Sequence, residues 1–499
     1  MSRTVTLPLW LALILSALAL WAALDRLLVP SVRWFIRQRT NRVLDQVRRR
    51  LRLEIRPFQR TKRQVLIDRL LYSPRVLDAV EEHAREEGVP GEVAMARAER
   101  YAREIVPSFN AYVYFRVGYW LARRLAELLY RVRVGYVDEE GLERVSAADT
   151  VVFVMNHRSN MDYVLVAYLA ADRAALSYAV GEWARVWPFH MLIRSMGAYF
   201  VRRNSRSALY RRVLEGYVAM ATEAGVTQAI YPEGGLTRDG LVRGPRVGLL
   251  QYMLRGFRPD RPGDLLFVPV GINYDRTMED RTLLLEEQPE GRTRRTARAA
   301  AATLGFMGRN LFLLLRNRWY RFGYACVNFG APVSLREFLA RKGVADLEGL
   351  PQEERFQVVE ALAVEVMERV KGVIPVLPVS LVATVLVADP TAPFTELELK
   401  ARVQGLLQEL ETRGAHLYVP RKDRDYAFTV GLRMLTLRKL VWEEEGVYRV
   451  VPEELTLLRY YANSIRHQVE EPPPFSTPPR SPAAGDPPPP GAPPSQGAG

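Results

Sequence analysis

Between Thr150 and about Leu339 the chain alternates short apolar runs with longer helix-like segments, and this alternation narrows the fold more than any other feature. The strand-like runs are 150–155, 198–202, 227–231, 266–270 and 324–329, with helix-like segments between them, notably 205–224 and 246–256. The expected class is α/β, with a mixed or parallel sheet flanked by helices. In such sheets chemistry gathers where strands end, and the least ordinary residues of this chain fall there.

The first strand end reads Met155-Asn156-His157-Arg158-Ser159-Asn160-Met161-Asp162-Tyr163. The β-branched run Thr150–Val154 leads in, and an apolar helix-like stretch from Met161 to about Ala171 leads out. Ser159 or Asn160 suits the helix N-cap. His157 then lies in the turn, and Asp162 lies in the first helical turn, where the dipole favours a carboxylate. Five residues apart, they would not share a face of one continuous helix. With His157 in the turn, the chain can fold back and bring them together. An imidazole titrates near neutrality and can take a proton from an alcohol. A carboxylate on its other nitrogen sets the tautomer and steadies the imidazolium. His157 and Asp162 are the catalytic candidates.

Three further strand ends carry unusual residues. Gly197-Ala198-Tyr199-Phe200-Val201 delivers Arg202 and Arg203 together, and guanidinium groups suit bidentate phosphate binding. Ile230-Tyr231-Pro232-Glu233-Gly234-Gly235-Leu236-Thr237-Arg238 follows another strand. Its glycines admit close approach of a ligand, Thr237 and Arg238 offer donors to an anion, and Glu233 can accept from substrate hydroxyls or brace arginines. In the fourth, Leu266–Tyr274, Pro269 is expected to shape an apolar wall.

In order and spacing these four blocks resemble those of the glycerolipid acyltransferases, and more narrowly the membrane-bound bacterial glycerol-3-phosphate 1-O-acyltransferase family. His157 and Asp162 match the family's His-x4-Asp, Gly197–Arg203 its Gly-Ala-aromatic-Phe-(Ile/Val)-Arg-Arg, Glu233–Arg238 its Glu-Gly-Gly turn, and Pro269 its Val-Pro strand. The resemblance covers about residues 110 to 340 and extends more loosely through Tyr324–Gly330. It implies direct acyl transfer from acyl-coenzyme A or acyl carrier protein to the sn-1 hydroxyl of glycerol 3-phosphate. His157 would be the base, with no acyl-enzyme, no cofactor and no metal. Arg202, Arg203, Arg238 and Arg246, with Glu233, Gly234, Gly235 and Thr237, would bind the acceptor, and Pro269 would line the acyl site. Two positions depart from the pattern. Leu236 stands where the family usually has arginine and Leu241 where a further basic residue is common, which shifts the load onto Arg202 and Arg203.

Dihydroxyacetone phosphate and lysophosphatidate are the alternative acceptors. The Gly234-Gly235 pair argues against lysophosphatidate, whose enzymes usually carry Glu-Gly-Thr-Arg-Ser. A catalytically dead, membrane-anchored scaffold or nucleic-acid-binding protein is the reading from another class. The intact His157 and Asp162 argue against it.

The remaining chain frames this centre. Val5–Leu24 is an uncharged, mostly apolar run long enough to span a bilayer. From Ser31 to Arg63 twelve Lys or Arg outnumber Asp45 and Glu54, which holds that flank on the cytoplasmic side. The expected organisation is an anchor at 1–30, a basic and amphipathic helical region at 31–148, the catalytic domain at 149–340, a helical domain at 341–469 and a disordered Pro-rich tail at 470–499. Location at the cytoplasmic (inner) membrane follows. Within the second region, Phe109–Tyr136 mixes aromatics and arginines as an interfacial helix or a packing helix does. Helices are also expected at 352–370, 396–412 and 424–445. The net charge of +14 suits anionic lipids and acidic acyl donors, with no nucleic acid expected beside an anchor. The single Cys326 excludes an intramolecular disulfide, and the five histidines have no metal-ligand spacing.

Overall fold

The computed structural model describes residues 56–111, 113–170, 176–180, 193–202, 205, 207–285 and 322–470. The expected anchor at Val5–Leu24, most of its basic flank, Arg203 and the Pro-rich tail lie outside these residues. Among the described residues no helix is long and apolar enough to cross a membrane.

The strands are β1 (Arg131–Val137), β2 (Thr150–Met155), β3 (Ser177–Val180), β4 (Tyr199–Phe200), β5 (Gln228–Ile230), β6 (Leu265–Tyr274), β7 (Tyr324–Phe329) and β8 (Val333–Ser334). They form one mixed sheet in the order β1-β7-β6-β2-β5-β3-β4, with β8 also on β6. β2 lies at the centre, parallel to β5 on one side and to β6 on the other. Burial on both faces explains its unbroken apolar sequence. The chain order reverses across β2, so the loops leaving β2 and β5 open a crevice at a topological switch point.

β1 was expected to be helical, and this expectation is corrected. The mix of aromatics and arginines over Phe109–Tyr136 suggests one amphipathic helix, but Arg131 and Arg133 alternate with Val132 and Val134, the period of two of a strand. The strand pairs parallel with β7. Its arginines lie over the Tyr324 ring, 5.6 and 5.9 Å from the centroid, and so cover the sheet edge. The preceding helix, Tyr119–Leu129, buries Ala122, Ala126 and Leu129 and packs on Met161–Ala170, the helix that follows His157.

Helices 63–71, 74–87 and 91–105 pack against the sheet together with Ala208–Glu223. The helix Gln352–Val373 covers β6. Beyond it, Pro378–Ala388 is the buried axis of a C-terminal core completed by Glu396–Thr412, Arg424–Leu437 and Leu455–Asn463. The helix expected over 424–445 ends at Leu437. Three strands follow a different pattern there: β9 (Phe394–Thr395) joins a hairpin of β10 (Val441–Glu444) and β11 (Val447–Val450), turned at Glu445-Gly446.

Candidate active site

The turn after β2 is anchored by Asn156. Its amide nitrogen donates to the Ile272 carbonyl at 2.8 Å and its oxygen accepts from the Ile272 N–H at 2.8 Å, so a side chain continues the sheet pairing. His157 follows, 1% exposed, and Asp162 is completely buried. His157 Nδ1 donates to Asp162 Oδ2 at 2.9 Å. The same oxygen accepts from the backbone N–H groups of Arg158 and Ser159 at 2.8 and 3.0 Å, while Oδ1 accepts from the Tyr274 hydroxyl at 2.5 Å. A carboxylate at Nδ1 requires the proton there, which leaves Nε2 with its lone pair. Nε2 is buried and has no protein partner. The imidazole lies 4.2 Å from the Tyr231 ring, stacked at 28°, and meets the Tyr163 ring edge-on at 5.4 Å.

The loop leaving β5 closes over this turn. Glu233 Oε1 accepts from the His157 N–H at 2.8 Å and Oε2 from the Arg243 N–H at 3.0 Å. Burial raises the Glu233 pKa and these N–H groups oppose the rise. The carboxylate was expected to meet substrate hydroxyls or brace arginines. Instead both oxygens clamp main chain. The Thr237 N–H donates to the His157 carbonyl at 3.0 Å, so the loop grips His157 on both sides. The Thr237 hydroxyl, expected to serve the substrate, donates within the loop to the Leu241 carbonyl at 2.8 Å and accepts from the Gly240 N–H at 3.1 Å.

A cavity of about 250 Å³ lies against His157. Its wall includes Gly234, Gly235, Arg202, Arg246 and, from the helix Ala208–Glu223, Arg211. Gly234 has φ +72°, and a Cβ there would lie 2.7 Å from Arg246 Cδ, so only glycine lets the Arg246 stem cross the turn. Arg202 is on the wall, but its Nε donates to Glu104 at 2.8 Å and its Nη2 to the other carboxylate oxygen. Arg238 is exposed and off the wall. Pro269 is also off the wall. It is buried in β6, where β8 pairs 266–267 and β7 begins pairing at 270, a break that tolerates a missing N–H. Among the described residues no group of His, Cys, Asp or Glu side chains converges as a metal site.

Several residues of this centre escaped sequence reasoning. Tyr274 ends the Val-Pro strand and reaches Asp162 across 112 residues. Glu279 holds the Ser159 hydroxyl at 2.6 Å and the Asn160 N–H at 3.2 Å. Arg158, fully buried, donates to the Gly240 carbonyl at 3.0 Å and lies 5.1 Å from the Tyr460 ring of the C-terminal region. Arg211 had one signal, an arginine early in a helix, and no local pattern to set it apart.

Comparison with known proteins finds relatives by sequence. The acyltransferase family pattern matches residues 136–273, and the pattern of the glycerol-3-phosphate acyltransferase C-terminal region matches residues 310–472. The chain is 30% identical over 421 residues to a glycerol-3-phosphate acyltransferase of Aeromonas hydrophila, covering 81% of this chain and 50% of that protein. It is 27% identical over 443 residues to one of Xanthomonas campestris pv. campestris, covering 86% and 48%. The chain thus spans about half the length of the curated relatives it matches. Among solved structures, the 1-acyl-sn-glycerophosphate acyltransferase of Thermotoga maritima matches at 20% identity with a TM-score of 0.29, over 51% of this chain and 78% of that one. That likeness is too loose to carry the fold, which the strand order establishes by itself.

Proposed function

We propose that this chain, which matches both the acyltransferase pattern and the pattern of the glycerol-3-phosphate acyltransferase C-terminal region, acylates glycerol 3-phosphate. The donor is acyl-coenzyme A or acyl carrier protein, the target is the sn-1 hydroxyl, and the product is 1-acyl-glycerol 3-phosphate. The observation that carries the reading is His157: Nδ1 held by a buried carboxylate, Nε2 unpartnered and the ring on a cavity wall.

Nε2 takes the proton of the sn-1 hydroxyl as its oxygen attacks the thioester carbonyl. The imidazolium that forms faces Asp162 at Nδ1 and the Tyr231 ring at its side, and both favour positive charge. Collapse of the tetrahedral intermediate breaks the C–S bond, and the proton on Nε2 goes to the leaving thiolate. No acyl-enzyme and no cofactor is invoked. The Gly235 N–H is the candidate oxyanion donor. Gly235 lines the cavity, and the neighbouring Gly234 N–H is already given to the Tyr231 carbonyl at 3.0 Å.

A membrane surface is the proposed working place, since long-chain donors and the lipid product partition there. The helix Tyr119–Leu129 supports it: Trp120, Leu121, Leu125 and Leu128 stay exposed opposite the packed face, with Arg124 5.7 Å from the Trp120 ring. An exposed apolar stripe edged by arginine suits an anionic interface. The run Val5–Leu24 is proposed as the anchor in the cytoplasmic membrane.

The test is acyl transfer in detergent or liposomes, with glycerol 3-phosphate, dihydroxyacetone phosphate and lysophosphatidate offered in parallel to both donor types. Turnover of glycerol 3-phosphate that His157→Ala abolishes is the expected result. Turnover of another acceptor alone overturns the substrate, and no turnover by folded protein overturns the reaction.

A further inference from the structure

We propose that the phosphate of the acceptor is held chiefly by Arg211, together with Arg246, and not by Arg202 at the end of β4. This assignment rests on the acyl-transfer reading above and deepens it. The ligand chemistry is a phosphate monoester dianion.

The cavity wall carries three described guanidinium groups, and they differ in what already occupies them. Arg202 is committed: Glu104 takes its Nε and Nη2, and the Tyr101 and Tyr210 rings lie 5.4 Å from its Cζ. A guanidinium with its fork on a carboxylate has little left for a second planar acceptor. Among the described residues no carboxylate pairs with Arg211 or Arg246. The nearest acid on the Arg211 helix, Glu215, is taken by Arg212 and Arg255. Within the loop after β5, the turn at Gly234 and Gly235 reaches the wall and Arg246 is the loop's cation there, since Arg238 and Arg243 are both off it.

Arg211 also stands where a cation is locally unfavourable. It lies early in a 16-residue helix capped by Ser207, near the positive end of the dipole. Arg211 is exposed, so water meets its charge in the empty cavity, and a bound dianion would replace that water with a charged partner. A side chain that breaks a local rule without an evident partner is what a ligand site leaves behind. His157 lines the same cavity, so a phosphate held by Arg211 and Arg246 would place the acceptor in the cavity that the base borders.

The coenzyme of an acyl donor also carries a phosphate monoester, so the experiment separates the two sources. The full-length protein and its Arg211→Gln, Arg211→Lys and Arg246→Gln variants are compared in steady state. The expected result for Arg211→Gln is a KM for glycerol 3-phosphate raised about tenfold to a hundredfold, from loss of one charge-assisted bidentate contact. Its kcat should stay within about threefold and the donor KM should not move. Arg211→Lys should fall between, because charge is kept and the fork is lost. An unchanged acceptor KM overturns the proposal while turnover by the parent protein keeps the acyl-transfer reading. A rise in the donor KM alone assigns the arginine to the donor and also overturns it. Calorimetric titration with glycerol 3-phosphate, without donor, covers a chain that does not turn over. Binding that Arg211→Gln abolishes sustains the phosphate site though the reaction fails, and no binding to the parent protein overturns it. Melting temperatures equal to the parent's exclude a folding artefact.

Discussion

Behind His157, Nδ1 meets a carboxylate that holds four hydrogen bonds; in front of it, Nε2 meets none. The contrast continues outward. Behind lie Tyr274 on Asp162, Glu279 on Ser159 and Asn160, Arg158 on Gly240, and Asp280 on Arg438 at 2.5 Å. In front lie the Arg211 and Arg246 guanidinium groups, both exposed and without carboxylates, and the buried Tyr231 hydroxyl, which like His157 Nε2 has no protein partner. An unsatisfied buried polar group costs about 1–3 kcal/mol. The rear network offsets such costs and fixes the imidazole, so the front can stay ready for a ligand. The lesson is that site and support are separable: rear substitutions should move stability and kcat together, and front substitutions should move binding alone.

The most severe break is His157→Ala, expected to lower kcat by roughly a thousandfold or more while the melting temperature holds, checked by turnover and calorimetry. Asp162→Asn should approach the same loss in kcat and also lower the melting temperature. The amide cannot accept all four hydrogen bonds, and the Nδ1 tautomer is no longer set. Gly240→Ala tests the rear at its contact with the C-terminal region. Gly240 has φ +86°, and an added Cβ would lie 2.0 Å from the Tyr460 carbonyl oxygen. A loss of roughly 2–4 kcal/mol in urea unfolding is expected, with activity falling alongside it. Tyr274→Phe removes a single bond to Asp162 and should cost about 1–2 kcal/mol, with kcat reduced several-fold.

The last test is a pH dependence. Asp275 is buried where the catalytic sheet meets the C-terminal region, and accepts from the Tyr324 and Val379 N–H groups at 2.8 and 3.2 Å. Burial pushes its pKa up to about 7 against those bonds. The folded protein therefore keeps this proton in a range where the unfolded chain has released it, above about pH 4. The contribution of Asp275 to stability is full in acid, falls as pH rises from about 4 to about 7, and is flat above. His416 and His467, both lowered to about 4 by burial, act oppositely: they remove stability as pH falls below about 6.5. The difference in unfolding free energy between the parent and Asp275→Asn isolates the first effect and should tilt toward the parent as pH drops through that window.

What was legible in the chain was local. His157 and Asp162 stand five apart on a strand, turn and helix, and short-range geometry suffices to pair them. The loop after β5 was legible as a site but not in its parts, because Glu233 looks like a ligand group until its two N–H partners are seen. β1 was missed because its arginines cover an aromatic ring that arrives from β7. Tyr274 and Tyr460 lay beyond reach for the same reason: their partners are 112 and 302 residues away, and no pattern within a segment encodes such contacts.

Tyr460 and Asn463 reach back to the loop over His157, the latter donating to the Asp239 carbonyl at 2.9 Å. On a ribosome this order matters. The last strand of the catalytic sheet ends at Ser334, so the sheet can close well before the helix Leu455–Asn463 has been made. At about 5–20 residues per second the interval is roughly 6 to 25 s. Throughout it a nascent chain carries the histidine, the carboxylate and the sheet, while the loop over them lacks its final brace. The centre is thus complete only once residue 463 has been made, and a chain cut between Ser334 and Leu455 would hold the sheet with an unfinished centre.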